Sequence, residues 1–329
     1  MFRGAPAPNF PRNHTMSKSS TTSLSASAAR NLATATVTVP QWDAITPRWL
    51  HKLLPWVDVD GGVYRVNRVL SRAGDAPESN AALITVDGGE PKLPTAFIDY
   101  DEDPREYHLS TIQTILRTHT RVTDLYSNQI DQLREQVRLT VEAVKEREEW
   151  ELLNHEKFGL LKEVAPGQQV KTRGGAPTPD DLDELLIRVW KKPAFFLAHP
   201  LAIAAFGREA TRRGVPPVVV HLFGSPFITW RGVPLIPSNK VPVSKAGVTS
   251  ILLLRVGEAE QGVVGLQKTG VTGEVEPGLS VRYMGTNENS IASHLVTRYF
   301  SAAVLTEDAI ARLDNVSVTH YHSYVYPKA

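Results

Sequence analysis

The sequence predicts an α+β fold, and three observations carry that expectation. Residues 126–158 read as one long amphipathic helix with no Gly or Pro until Gly159. Elsewhere helical and strand patterns mix without the regular β–α–β rhythm of a doubly wound sheet. Most of the chain after Pro216 reads as short apolar strands divided by turn residues.

The long helix is the organising element. Ile130, Leu133, Val137, Val141 and Val144 recur at spacings of three and four, which lines them up as one apolar stripe. From Ile130 to Asn154 such a helix is about 37 Å long at 1.5 Å per residue. The remaining faces are charged, with Arg138–Glu142 and Lys145–Glu149 four apart and expected to pair along the helix. A coiled coil needs three to four sustained heptads and only two are present. The expectation is therefore a helix lying across a sheet, its charged face in water.

Composition bounds the class. A chain of 329 residues is long enough for about two domains. Lys+Arg number 36 and Asp+Glu 35, a net charge of +1, so no global field draws the chain to nucleic acid or an anionic membrane. The absence of Cys excludes disulfides, thiolate metal sites and a Cys nucleophile, and is compatible with a reducing cytoplasm. No apolar run reaches the length of a membrane span, and no apolar signal-peptide core opens the chain, so it reads as soluble and not secreted.

Residues 1–40 read as an arm. Residues 1–15 are rich in Pro and Asn, and the following stretch is dominated by Ser, Thr and Ala, with Leu24, Leu32, Val37 and Val39 as sparse anchors. Such a segment buries too little to order alone. It is either disordered or folds against a partner subunit. Met16 sits at the composition change, as an alternative start with residues 1–15 as an extension.

Thr46 and Pro47 read as the cap and first turn of a helix whose face is Trp49, Leu50, Leu53 and Leu54, ended by Pro55. The spacing of Trp42, Trp49 and Trp56 by seven suits core packing. Alternation about Asp60-Gly61 signals a hairpin. Residues 64–105 offer polar loops and short strands with little to bury, which suits a projection packed on a neighbour. After an irregular stretch from Glu163, Thr178 caps a helix with Asp180 and Asp181 in its first turn. PAFFLAHP reads as a buried strand, and Pro200–Arg213 as a helix ended by Gly214. Ser290–Leu305 fits strand or helix. Thr306 is expected to cap a short helix, EDAIARL, before an alternating tail.

The common catalytic signatures are missing: no GxGxxG, P-loop, GxSxG or HExxH occurs. Asp180, Asp181, Asp183 and Glu184 form a dense carboxylate group, better explained by capping than by metal binding. His320 and His322 could share a strand face, but a metal centre needs further ligands. His199 reads as a satisfied core histidine, and Arg208, Arg212 and Arg213 as a solvated basic patch. No residue is assigned a catalytic, cofactor-binding or metal role, and no cofactor is expected.

Several long segments do resemble a known family. VPQWDAITPRWLHKLLPWVDVDGGVYRVNRV, DPREYHLSTIQ, HTRVTDLYSN, GAPTPDDLDELLIRVWKKPAFFLAHP, AIAAFGREATRRGVPP and FITWRGVPLIPSNKVPV are similar to type-two encapsulins of subfamily A. Mycobacterial members of that family were long called major membrane protein I. The resemblance spans residues 28–322 and leaves out the 1–15 extension. It implies the tailed-phage major capsid fold of the Hong Kong phage type. The implied parts are an N-terminal arm (1–40), a peripheral domain (41–63 and 106–195) with a spine helix, an extended loop (64–105), and a mainly axial domain (196–329) with returning strands. A sister subfamily carries an inserted cyclic-nucleotide-binding domain, for which this chain has no spare length. The implied function is a cytoplasmic, self-assembling icosahedral shell that does no chemistry itself. Its implied partners are many copies of itself and an enclosed enzyme, commonly a cysteine desulfurase of sulfur metabolism, without nucleic acid or a membrane span. A prophage head protein would share this fold, and an enzyme in its own right is the weakest reading.

Overall fold

The computed structural model describes residues 45–67, 102–120 and 132–321, together with Ser25, Ser27, Gly88, Gly89, Lys92, Thr95 and Tyr100. The arm with Met16 and its apolar anchors, Trp42, most of the 64–105 projection, Ile130 and His322 lie outside the described residues.

Two sheets carry the architecture. The first combines β1 (Trp56–Asp58), β11 (Val263–Gln267), β14 (Ile291–Val304), β13 (Leu279–Thr286) and β12 (Glu274–Glu276) in that order, with β4 (Ser110–His119) also paired to β14. The second has seven strands in the order β5 (Gln169–Lys171), β15 (Ile310–Ser317), β10 (Val248–Leu254), β6 (Phe195–Ala198), β9 (Val233–Pro237), β8 (Ser225–Trp230) and β7 (Val218–Leu222). Separate from both, β2 (Val63–Val66) pairs antiparallel with β3 (Arg105–His108).

Helix α1 (Trp49–Leu53) buries Trp49 and Leu50, as its apolar pattern predicts. Helix α2 (Gln132–Asn154) is the long helix: 23 residues, about 35 Å. Its stripe lands as expected on the first sheet, where Val141 and Val144 join Leu279 and Val296 in one buried cluster with Val137 beside it. Helix α3 (Pro179–Arg188) opens on a complete capping box. Thr178 Oγ accepts the Asp181 N–H at 3.2 Å, and the Asp181 carboxylate accepts the Thr178 N–H at 2.9 Å. Helix α4 (Pro200–Arg212) ends where Gly214 takes φ 77°, a conformation glycine enters without steric cost. Helices α3 and α4 pack on the seven-stranded sheet around Phe196, Phe206, Leu253 and Leu313.

Four expectations need correction. Asp60-Gly61 does not close a hairpin: β1 pairs parallel with β11 and β2 pairs with β3, so the strands flanking the turn part company. Thr46 does not cap α1. Arg48 stands at that position in the left-handed region at φ 50°, and both donors of Thr46 go to Glu146 instead. EDAIARL is not a helix, because only Glu307–Ala309 makes a 3₁₀ turn and Ile310 onward pairs with β10 as strand β15. The stretch after Glu163 is not wholly irregular, since β5 pairs parallel with β15. In the case left open, Ser290–Leu305, the chain is a strand because β4, β11 and β13 all pair with it.

Candidate functional site

The charged face of α2 is only partly in water. Glu146, Glu148 and Glu149 are buried, and their carboxylates clamp the segment through which the chain enters the fold. Glu142 pairs with Arg48. One turn on, Glu146 Oε1 accepts the Thr46 N–H at 2.8 Å and its Oε2 takes Lys240 Nζ at 2.5 Å. Lys240 Nζ also donates to Thr46 Oγ at 2.7 Å. Glu149 Oε1 accepts the Leu50 N–H at 3.0 Å. Successive carboxylates on one helix thus hold alternate residues 46, 48 and 50 of the entry segment.

The pairs expected along the helix do not form. Arg138 pairs with Glu135 rather than Glu142, and Lys145 reaches Glu276 rather than Glu149. The intended partners are taken by groups brought in from distant sequence, where desolvated contacts outweigh exposed pairs.

Glu148 shows no exposure and points into the first sheet, where Arg298 of β14 donates to its Oε1. Its other oxygen has no hydrogen-bond partner among the described residues and stands 3.7 Å from His51 Nε2. Burial pushes the Glu148 carboxyl up, and the Arg298 guanidinium opposes that shift. Burial, then the positive charges of Arg298 and Lys145, hold His51 down at about 4, so the imidazole is neutral at pH 7. Burial also lifts Glu149 to about 7, against the pull of Lys240. A cleft of about 190 Å³ opens beside these groups, lined by His51, Trp56, Lys145, Glu148, Glu276 and Arg298. Trp56 walls it, its indole N–H bound to the His51 carbonyl at 3.0 Å and its ring flat against Gly265, where a Cβ would meet it at 2.7 Å. Within the cleft Arg298 pairs with Glu148 and Lys145 with Glu276, so these groups anchor α2 to β14 and β12.

The residues singled out in the sequence scatter. Asp181 belongs to the capping box, Asp183 accepts the Trp230 indole at 2.7 Å, and Glu184 pairs with Arg188. His199 is no core histidine: half-buried, it caps α4 by accepting the Leu201 N–H on Nδ1, and burial lowers its pKa. Arg212 and Arg213 both reach the buried Glu209, so the patch is less solvated than expected, while Arg208 stacks on Tyr321. His320 lies exposed beyond β15. Among the described residues no three His, Asp or Glu side chains gather as a metal site.

Sequence reading missed Glu148, although one signal was there. Val137, Val141, Val144 and Glu148 continue the same spacing, so the stripe's register itself turns Glu148 inward.

The family model described as type 2A encapsulin shell protein SrpI-like matches residues 67–320. The chain is 63% identical to the type 2A encapsulin shell protein SrpI of Synechococcus elongatus, over 91% of this chain and 95% of that one.

The chain belongs to the type 2A encapsulin shell family.

The cryo-EM structure of the holo-SrpI encapsulin complex from Synechococcus elongatus superposes with a TM-score of 0.78 at 60% identity, covering 92% of this chain and all of that one. The capsid of a native GTA particle superposes at TM-score 0.58 and 13% identity over 85% of this chain and 94% of that one, a likeness of fold alone. The encapsulin shell fold is therefore the tailed-phage capsid fold, of mixed α and β content, as the sequence led us to expect. Among the described residues, no helix of this type 2A encapsulin chain is long and apolar enough to cross a membrane.

Proposed function

We propose that many copies of this chain assemble into a closed icosahedral shell in the cytoplasm, that the shell encloses an enzyme, and that it does no chemistry itself. The observation that carries this reading is the 60% identity to the chain of the holo-SrpI encapsulin complex, sustained over 92% of this one. The guest we propose is a cysteine desulfurase serving sulfur metabolism, the enzyme that the family resemblance implies. In this reading residues 1–40 are the arm and 64–105 the extended loop, which leaves the core at the β2–β3 pair. The sheet under α2 is the peripheral domain, built from 41–63, 106–195 and strands returning from beyond residue 196. The axial domain is mainly 196–329, and α3, from the peripheral stretch 106–195, packs against its seven-stranded sheet. A prophage head protein stays second, since the capsid likeness at 13% identity speaks for fold only.

The test is to isolate the particles from the native host and identify what they contain by mass spectrometry. A cysteine desulfurase inside shells of this chain is the expected result. Particles filled with DNA, beside a portal and a maturation protease, would overturn the reading.

A further inference from the structure

The buried carboxylate under α2 is only half served. Arg298 donates twice to Oε1 of Glu148, while Oε2 has no hydrogen-bond partner among the described residues. A desolvated oxygen left without a donor costs free energy, so its persistence asks for a reason. Glu148 lines the cleft of about 190 Å³ that opens between α1, α2 and the end of β12. Oε2 is shielded from solvent there, with His51 Nε2 3.7 Å away. The His51 side chain keeps 29% exposure, so a turn of the imidazole opens the oxygen to the cleft.

The cleft selects on charge from both sides. Burial, then the positive charges of Arg298 and Lys145, hold His51 neutral, and a bare cation entering beside it meets the same opposition. A bare anion meets Glu148. A molecule carrying both charges, its positive end inward, meets neither objection. Lys145 stands three residues before Glu148, so the two side chains share one face of α2. Its present partner is Glu276, at 2.6 Å, which is half-exposed and can return to water at little cost. Trp56, Pro277 and Leu279 add apolar wall. A dry cavity of about 150 Å³ takes benzene, so this cleft suits a molecule of roughly eight heavy atoms.

We propose that this cleft binds a small zwitterionic α-amino acid with an apolar side chain. The ammonium donates to Oε2 of Glu148, and the carboxylate pairs with Lys145 in place of Glu276. The side chain lies against Trp56 and Leu279. Every group invoked belongs to a single copy of the chain, so the site does not rest on the shell reading above.

The test is isothermal titration calorimetry of the full chain at neutral pH with three probes. They are L-valine, isobutylamine, which lacks its carboxylate, and isovalerate, which lacks its ammonium. L-Valine should bind about tenfold more tightly than either of the others. It should also raise the melting temperature of the unsubstituted chain where the other two, at equal concentration, do not. Lys145→Gln should weaken L-valine by about tenfold and leave isobutylamine where it was, because only the amino acid uses the lysine. Glu148→Gln is the poorer variant, since it disturbs the buried pair with Arg298, whereas Lys145 gives up only the half-exposed Glu276. Equal affinities for the three probes would overturn the proposal, as would a Lys145→Gln chain that loses isobutylamine and L-valine alike. No binding of any probe would overturn it too, and would leave Glu148 served by ordered water alone.

Discussion

Arg298 donates from Nε and Nη2 to a single oxygen of Glu148, at 2.9 and 2.8 Å, joining β14 to α2 across 150 residues of sequence. Both side chains are almost without exposure, at 4% and 0%. Breaking such a pair strands a buried charge, at a cost of about 3–5 kcal/mol, whereas replacing both partners by apolar groups can be neutral. Arg298→Met should therefore lower the denaturation midpoint severely, and Glu148→Leu with Arg298→Met should recover most of the loss. Singles and double that lose equally little would show the pair to be incidental.

Glu149 sets a pH dependence with a definite sign. Its pKa in the fold is lifted from the ordinary 4.5 to about 7, so the folded state disfavours the ionised form. Its contribution is fully present below pH 4.5 and is lost as the pH rises through 7, by about 3 kcal/mol at most. Glu149→Gln keeps an acceptor for the Leu50 N–H. It should leave stability unchanged at pH 4 and raise the melting temperature at pH 8.

His51 works in the opposite direction. Its pKa falls from 6.5 to about 4, so its contribution is present above pH 6.5 and lost as the pH falls through 4. Between pH 4.5 and 6.5 the two slopes oppose each other. His51→Gln should remove the acid-side loss alone and leave the Glu149 slope unopposed, read as a melting temperature that falls more steeply from pH 4.5 to 6.5 than that of the unsubstituted chain.

Along α2 the two faces separate structure from surface. Val141→Asp places a carboxylate against Leu279 and Val296, at a cost of about 3 kcal/mol or more. Arg138→Ala removes only a part-exposed pair with Glu135, worth less than about 1 kcal/mol. Val141→Asp should give insoluble or unassembled protein, and Arg138→Ala should assemble normally with its guest. An Arg138→Ala particle lacking guest would mark this face of the helix as a docking surface.

The arm can be tested by truncation. Removing residues 1–15, which precede Met16, should leave assembly intact. Removing 1–40 deletes Leu24, Leu32, Val37 and Val39 and should lower the temperature at which particles come apart. Equal temperatures for the two would make the arm a passive tail.

What was legible in the sequence was local. Thr178 and Asp181 are three residues apart, so their capping box is written in adjacent positions, and the Val141–Val144 stripe fixes which way α2 faces. What was not legible depends on distant partners. Asp60-Gly61 carries a sound hairpin signal, yet β1 finds a better neighbour in β11, far along the chain. EDAIARL lost its helix to the ladder with β10 for the same reason. Glu146 and Glu149 read as surface charges because Lys240, Thr46 and the Leu50 N–H, which make burial tolerable, are 94, 100 and 99 residues away.

This polypeptide alone is expected to build a hollow shell. The most direct measurement is size-exclusion chromatography of the recombinant chain across protein concentration and ordinary salt, with electron microscopy of the eluted species. A megadalton fraction of uniform, closed, empty particles is the predicted result. A stable species of monomer to small-oligomer size under all of these conditions would contradict it.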